Sequence, residues 1–115
     1  MLGEILASVK NMMGIPEEYT AFDGSLTPLI NNALLNLNQL GVGNGTMIVK
    51  GNETWDDFLG EGAESSDSAL VYVYCKVKTV FDPPASSIAM EALKEAGKEA
   101  EWKLSLIWDP PEPVV

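Results

Sequence analysis

The chain has 115 residues, of which 46% are hydrophobic, and this is typical of one folded domain with a modest core. Seventeen acidic residues stand against seven lysines, with no histidine and no arginine, which gives a formal net charge of −10. This composition argues against nucleic-acid binding, which needs clustered cations. It also excludes histidine as a base or metal ligand and arginine as a bidentate ligand for phosphate.

Two amphipathic helices are predicted in the first third of the chain. Apolar residues recur at helical spacing over residues 2–13, and Gly14 is a fitting end for the first helix. The second helix is predicted to begin at Asp23 or Ser25 and to run to Leu40. Pro28 fits best in a first turn, which favours Ser25 as the N-cap.

The second helix carries asparagines at 31, 32, 36 and 38 opposite its apolar stripe. We interpret these side chains as a solvated face, and a polar contact between subunits is the alternative.

The glycine-rich stretch 41–45 is predicted to be a turn, because it lacks the Gly-Lys-Ser/Thr sequence of a phosphate loop. The next residues are predicted to form a short extended segment or half a hairpin: Thr46, Met47, Ile48, Val49 and Lys50. A lone strand leaves one edge unpaired, so we expect this segment to pair either with the arm at Val42 or with another subunit.

A short helix is predicted over residues 54–60, with Thr54 as its cap and Asp57 at the third helical position. The stretch from Glu53 to Asp67, with both ends counted, contains six acids and no lysine. The spacing of a calcium-binding loop is absent, so we interpret these acids as a solvated charged surface.

The densest apolar stretch, residues 69–81, has β-branched and aromatic residues that favour a strand on propensity. Its apolar positions nevertheless fall three and four residues apart, and the run stops at Pro83 and Pro84. We therefore predict a helix over residues 66–81 that forms the core of the protein. Cys75 lies within it and is expected to be a buried, inert thiol.

A long last helix is predicted from Ser86 or Ser87 to about Ile107. Its core-facing stripe consists mainly of small residues: Ala89, Leu93, Ala96, Ala100, Leu104 and Ile107. Three local ion pairs are predicted on the exposed side: Glu91 with Lys94, Glu95 with Lys98, and Glu99 with Lys103. Gly97 marks either a tight helix contact or a bend.

The fold class that follows is all-α, a small bundle of about four main helices plus a short helix and an extended loop or hairpin near residues 42–52. Residues 1–108 are predicted to form the helical domain. Residues 109–115, rich in proline, are predicted to form an extended arm, with a frayed end as the alternative.

The chain resembles the head–tail connector (head completion, adaptor) family of tailed bacteriophages. The resemblance covers nearly the whole chain in order and is carried by LGEILASVKNMMGI, AFDGSLTPLINNALLNLNQLGVG, ETWDDFLG, VYVYCKVKTVFDPPASS, EALKEAGKEAEWKLSL and DPPEPVV. One departure is Pro28, which stands inside the expected start of the second helix.

The resemblance implies an all-α structural protein of the virion neck, made in the bacterial cytoplasm, that is not an enzyme and has no cofactor or metal. It implies a ring, expected to be a dodecamer when assembled, that sits beneath the portal protein and extends the DNA channel. DNA passes through such a channel without specific binding, and the ring offers a docking surface to a tail or stopper protein. No membrane partner is implied.

The same resemblance implies where the contacts lie. The portal-binding residues are expected to be Trp108, Pro110, Pro111, Pro113, Val114 and Val115. The segment from Thr46 to Lys50 is expected to contact a neighbouring subunit or the stopper. A different class of function, an acidic DNA-mimic inhibitor, is the alternative, and it depends on the net charge and the acids between 53 and 67.

Overall fold

In a computed structural model, residues 3–43, 47–60 and 65–108 are described, and this part of the chain contains five α-helices and no strand. The helices are α1 (Ile5–Met12), α2 (Asp23–Gln39), α3 (Trp55–Leu59), α4 (Ser66–Phe81) and α5 (Ser87–Trp108). The all-α prediction is confirmed. No hairpin forms among the described residues near 42–52. The isolated bridge in the described part of the chain lies elsewhere and joins Glu4 to Thr54.

Helix α4 is the centre of the molecule and touches all four other helices. The prediction of a helix rather than a strand over residues 66–81 is confirmed. Val73 and Val77 on its inner face are completely buried, because the other helices pack around α4, chiefly α5 and α2. The β-branched residues therefore serve a helix here, since tertiary packing overrides intrinsic propensity.

Helix α2 begins earlier than the preference for Ser25 predicted. It starts at Asp23, so Pro28 lies inside the helix. A proline in a helix removes a hydrogen bond to the residue four positions before it and crowds that carbonyl group. That residue is Gly24, which is exposed, so water can reach its carbonyl oxygen.

Helix α1 begins at Ile5, later than the predicted start at residue 2, because the residues before it attach to the segment leading into α3. The backbone N–H of Ile5 donates to the oxygen of Glu53 at 2.9 Å, and the N–H of Trp55 donates to the oxygen of Gly3 at 3.0 Å. These bonds join the start of α1 to the cap of α3.

Helix α5 leans on the rest of the molecule almost entirely through α4. Ser86 caps it by accepting from the N–H of Ala89 at 3.0 Å. Gly97 marks a tight contact, since a Cβ placed there would lie 3.3 Å from Cβ of Cys75. The domain is elongated, with extents of 53 × 34 × 22 Å.

The predicted inner stripe of α5 is correct only in part. Ala100 and Leu104 are buried and Leu93 and Ala96 are half-buried, but Ala89 and Ile107 are exposed because they lie at the margins of the contact with α4. Two of the three predicted ion pairs form, Glu99 with Lys103 at 3.1 Å and Glu95 with Lys98 at 3.7 Å. Within the described residues no pair joins Glu91 to Lys94.

Candidate assembly surfaces

The segment 47–50 finds its hydrogen-bonding partner in a side chain of α2. Asn31 accepts the N–H of Val49 on Oδ1 at 2.6 Å and donates from Nδ2 to the oxygen of Val49 at 3.1 Å. The side-chain amide of Asn31 thus satisfies both the N–H and the C=O of Val49, the two groups that a neighbouring strand would otherwise bond. The prediction that the segment pairs with the Val42 arm is wrong for this residue, and Asn31 is not part of a purely solvated face.

This anchoring decides which side chains of the segment are free to meet a partner. Val49 is completely buried, and Met47 is half-buried. Ile48 and Lys50 point outward, with 61% of Ile48 exposed. Thr46 lies outside the described residues. Of the predicted contact segment, Ile48 is therefore the large apolar side chain that remains available.

Glu53 closes the other end of the same segment. Its carboxylate accepts the backbone N–H groups of Lys50 at 2.8 Å and Gly51 at 2.9 Å. The hydrogen bond from Gly51, followed by that from Lys50, lowers the pKa of Glu53 below its ordinary value, because both bonds favour the charged carboxylate.

Helix α3 is capped as predicted. Thr54 accepts the N–H of Asp57 at 3.1 Å, and Asp57 accepts the N–H of Thr54 at 2.9 Å, which completes a capping box. Two acids of the 53–67 region, Glu53 and Asp57, thus accept hydrogen bonds from nearby backbone N–H groups. The described residues contain no cluster of three or more metal-ligating side chains.

A buried ion pair fixes α1 against the start of α2. Nζ of Lys10 lies 3.0 Å from Oδ1 of Asp23, and the Lys10 side chain is only 2% exposed while that of Asp23 is 29% exposed. The contact is an ion pair without hydrogen-bond geometry at Oδ1. Lys10 also donates to the backbone oxygen of Glu17 at 2.8 Å. Sequence reasoning missed this ion pair. The signal for it is Lys10 beside the apolar stripe of α1, followed by Asp23 at the start of α2.

Trp108, the first of the predicted portal-binding residues, is bound to its own chain. Its indole N–H donates to Oγ of Ser65 at 3.0 Å, and the ring is half-buried against the core. This bond holds the end of α5 beside the start of α4. Pro110, Pro111, Pro113, Val114 and Val115 lie outside the described residues, immediately after this anchor.

The outward face of α5 carries a row of exposed side chains that we name the α5 ridge: Glu95, Glu99, Trp102 and Leu106. They are spaced four, three and four residues apart and so lie on one stripe of the helix. Trp102 is 62% exposed and Leu106 is 41% exposed. The two apolar side chains lie one turn apart and follow the two carboxylates along the stripe, which makes the ridge a candidate contact surface.

A second feature, the α4–α5 groove, lies between the two helices beside this ridge. Its apolar lining includes Val80, Leu93 and Gly97, and three lysines line it as well, Lys76, Lys94 and Lys98. Its cavity volume is about 330 Å³. Among the residues that the structure describes, Glu101 is the one acid that lines the groove.

Cys75 also lines this groove, but its thiol is buried as predicted, with 4% of the residue exposed. Burial raises the pKa of the Cys75 thiol, and the charge of Lys76 offsets part of that rise. The thiolate is the reactive form, so a raised pKa is consistent with an inert thiol. Over the described ranges, no helix is both long and apolar enough to cross a membrane.

A comparison with protein families gives a match. The model of a family described as phage connector protein matches residues 5–111. Neither the curated proteins nor the solved structures give a significant match. The matched range includes all five helices.

Proposed function

The chain belongs to the phage connector protein family, and from this membership we propose that it is a structural virion protein, and not an enzyme, that forms a ring beneath the portal. The ring joins head to tail and extends the DNA channel. The observation that carries the proposal is the match across residues 5–111, which spans the whole helical domain.

The charge of the chain supports a role as a channel. The formal net charge is −10, and lysines are outnumbered by acids seventeen to seven. A negative ring repels DNA phosphates, whereas clustered lysines would bind them and release counterions. The genome therefore slides through the ring without being held.

The end of α5 supports contact with the portal. Trp108 is fixed to Ser65, so the proline-rich residues that follow start from a defined point on the domain. Proline-rich segments are extended and lose little entropy when they bind. We assign portal binding to Pro110, Pro111, Pro113, Val114 and Val115, with Trp108 as the anchor that aims them.

The segment 47–50 supports a second contact, with a neighbouring subunit or the stopper. Asn31 and Glu53 hold its backbone, and Ile48 projects from it. A rigid backbone that presents one exposed apolar side chain loses little entropy on binding.

The test is assembly with the portal protein encoded by the same phage. The full chain is mixed with the purified portal and observed by mass photometry and by electron microscopy. We expect a ring of this chain on the portal, and a chain that lacks residues 110–115 is expected to keep its helical content but lose the portal. Persistent failure of the full chain to join the portal contradicts the proposal, and unchanged binding by the shortened chain contradicts the role of the arm.

A further inference from the structure

The α5 ridge and the α4–α5 groove are complementary in charge. The ridge carries two carboxylates, Glu95 and Glu99, whose side chains are 70% and 66% exposed. Each pairs with a lysine of its own helix, Lys98 at 3.7 Å and Lys103 at 3.1 Å. Exposed pairs of this kind contribute little and can exchange for a partner on another copy.

The groove carries three lysines, and two of them, Lys76 and Lys94, form no ion pair with any described residue. Lys76 lies 5.5 Å from the centre of the Tyr72 ring of its own chain. Lysines without an ion pair on one surface attract the carboxylates that another copy presents.

The two features are also complementary in their apolar parts. Trp102 projects from the ridge, and tryptophan is the residue type most often found as an anchor in protein interfaces. The groove offers an apolar lining at Val80 and Leu93, beside lysines whose charge is attracted to an aromatic face.

We propose that the α5 ridge of one copy packs into the α4–α5 groove of the next copy. Trp102 is the anchor in the groove, and Glu95 and Glu99 face Lys94 and Lys98 of the neighbour. The inference rests on the proposed ring and names the contact between its subunits.

The position of the two surfaces fits a ring. They occupy different faces of one helix, so the contact is heterologous, and such a contact gives a ring when the rotation between neighbouring copies closes. Both lie along the same stretch of α5, from residue 93 to residue 106.

The net charge determines when this contact forms. Each copy carries a formal charge of −10, so copies repel one another at a distance and more strongly at low salt. We expect the free chain to associate weakly. The contact is expected to form when copies are brought together on the portal or in a concentrated solution.

Site-specific crosslinking tests the contact directly. In a Cys75→Ser background, Lys94→Cys and Glu99→Cys are made singly and together, and each protein is oxidised at high concentration and on the portal. Positions 94 and 99 are five residues apart on different sides of α5, too far to close a disulfide within one chain. We expect the mixed single variants to give a dimer and the double variant to give a ladder of covalent oligomers.

The matched control for crosslinking is Asn32→Cys combined with Lys94→Cys, since position 32 is exposed on α2. No ladder is expected from it. A ladder from the control as strong as that from 94 with 99 overturns the proposed contact, as does the absence of any ladder from the double variant.

Substitution of the anchor gives a second readout. Trp102→Ala is expected to weaken association between copies roughly tenfold or more, whereas Leu35→Ala, an exposed apolar residue of α2, is expected to leave it unchanged. Lys94→Glu and Glu99→Lys should each weaken association, and a mixture or double variant that restores opposite charges should recover it.

The outcomes separate this inference from the proposed function. Rings of the unaltered chain on the portal without a 94–99 crosslink leave the connector role standing and overturn the contact. A ladder in solution with no ring on the portal leaves the contact standing and contradicts the connector role. Trp102→Ala is also made in the chain with cysteines at 94 and 99. If that chain loses the portal but still forms the ladder, Trp102 contacts the portal and its place in the groove is overturned.

Discussion

The body of the protein (α1 to α4 with the segment 47–53) and the helix α5 are stabilised in different ways. The body directs polar side chains inward: Lys10 is almost completely buried against Asp23, and Asn31 completes the backbone of Val49. Helix α5 is attached mainly to α4. It leaves Trp102 and Ile107 exposed.

An amphipathic pattern does not by itself reveal which polar side chains find partners within the chain and which remain available to another protein. Both regions have apolar stripes at helical spacing and charged residues beside them. In the body, Lys10 and Asn31 find their partners inside the chain, and these contacts specify the fold there. In α5 the polar residues point to solvent beside exposed apolar side chains, so this helix is suited to a partner.

The largest effect is expected from two leucines on opposite faces of α5. Leu104 is completely buried and Leu106 is 41% exposed. Leu104→Ala should lower the free energy of unfolding by about 2–4 kcal/mol, through lost burial and the cavity left against α4. Leu106→Ala should leave it within about 0.5 kcal/mol. Urea unfolding followed by circular dichroism measures both, and equal losses would show that α5 has no free face.

The next effect is expected from the ion pair in the body. Lys10→Ala leaves Asp23 and the oxygen of Glu17 without their cation. Loss of one partner of a buried pair costs about 3–5 kcal/mol, and we expect about 2–3 kcal/mol here because Asp23 is partly exposed. The control is Lys103→Ala, which breaks the exposed pair with Glu99 and should cost less than about 0.5 kcal/mol in the same urea titration. Similar values for both lysines would remove the distinction between the two regions.

A smaller effect is expected at the segment 47–50. Asn31→Ala removes both partners of the Val49 backbone and should cost about 1–2 kcal/mol. Asn32→Ala, at the exposed neighbouring position, should cost almost nothing. Hydrogen exchange at the amide of Val49 gives a local readout, and we expect it to accelerate only in the Asn31 variant. Unchanged protection would mean that another group holds the segment.

The smallest effect is a dependence on pH at Glu53. Its pKa is lowered in the folded chain, so its contribution to stability is present above its ordinary value of 4.5 and is lost as pH falls through the folded pKa. Acidification should therefore loosen the segment 47–53, and Glu53→Gln should loosen it at neutral pH. A carboxyl titration by nuclear magnetic resonance checks the direction, and a pKa at or above 4.5 contradicts it.

Much of the fold follows from the sequence because the signals are local. The helix over residues 66–81, the capping box of Thr54 and Asp57, and the cap at Ser86 depend on neighbours within four positions. The start of α2 was harder to predict. The preference of proline for a first helical turn favours Ser25 as the N-cap. The helix instead starts at Asp23, where the tertiary ion pair with Lys10 forms.

The candidate assembly surfaces were less predictable because they depend on contacts between distant residues. Asn31 and Val49 are separated by 18 positions, and Trp108 and Ser65 by 43, so no local pattern links them. The exposed face of α5 was also hidden in the sequence. Trp102 stands among charged residues, and only the packing of α5 on α4 decides which way its side chain points.

Electron cryomicroscopy of the portal mixed with the full chain tests most directly whether this chain closes into a ring on the portal through α5. We expect a closed ring in which Trp102 of each copy lies between α4 and α5 of the next. Single copies scattered on the portal, or a ring in which Trp102 faces solvent, would contradict it.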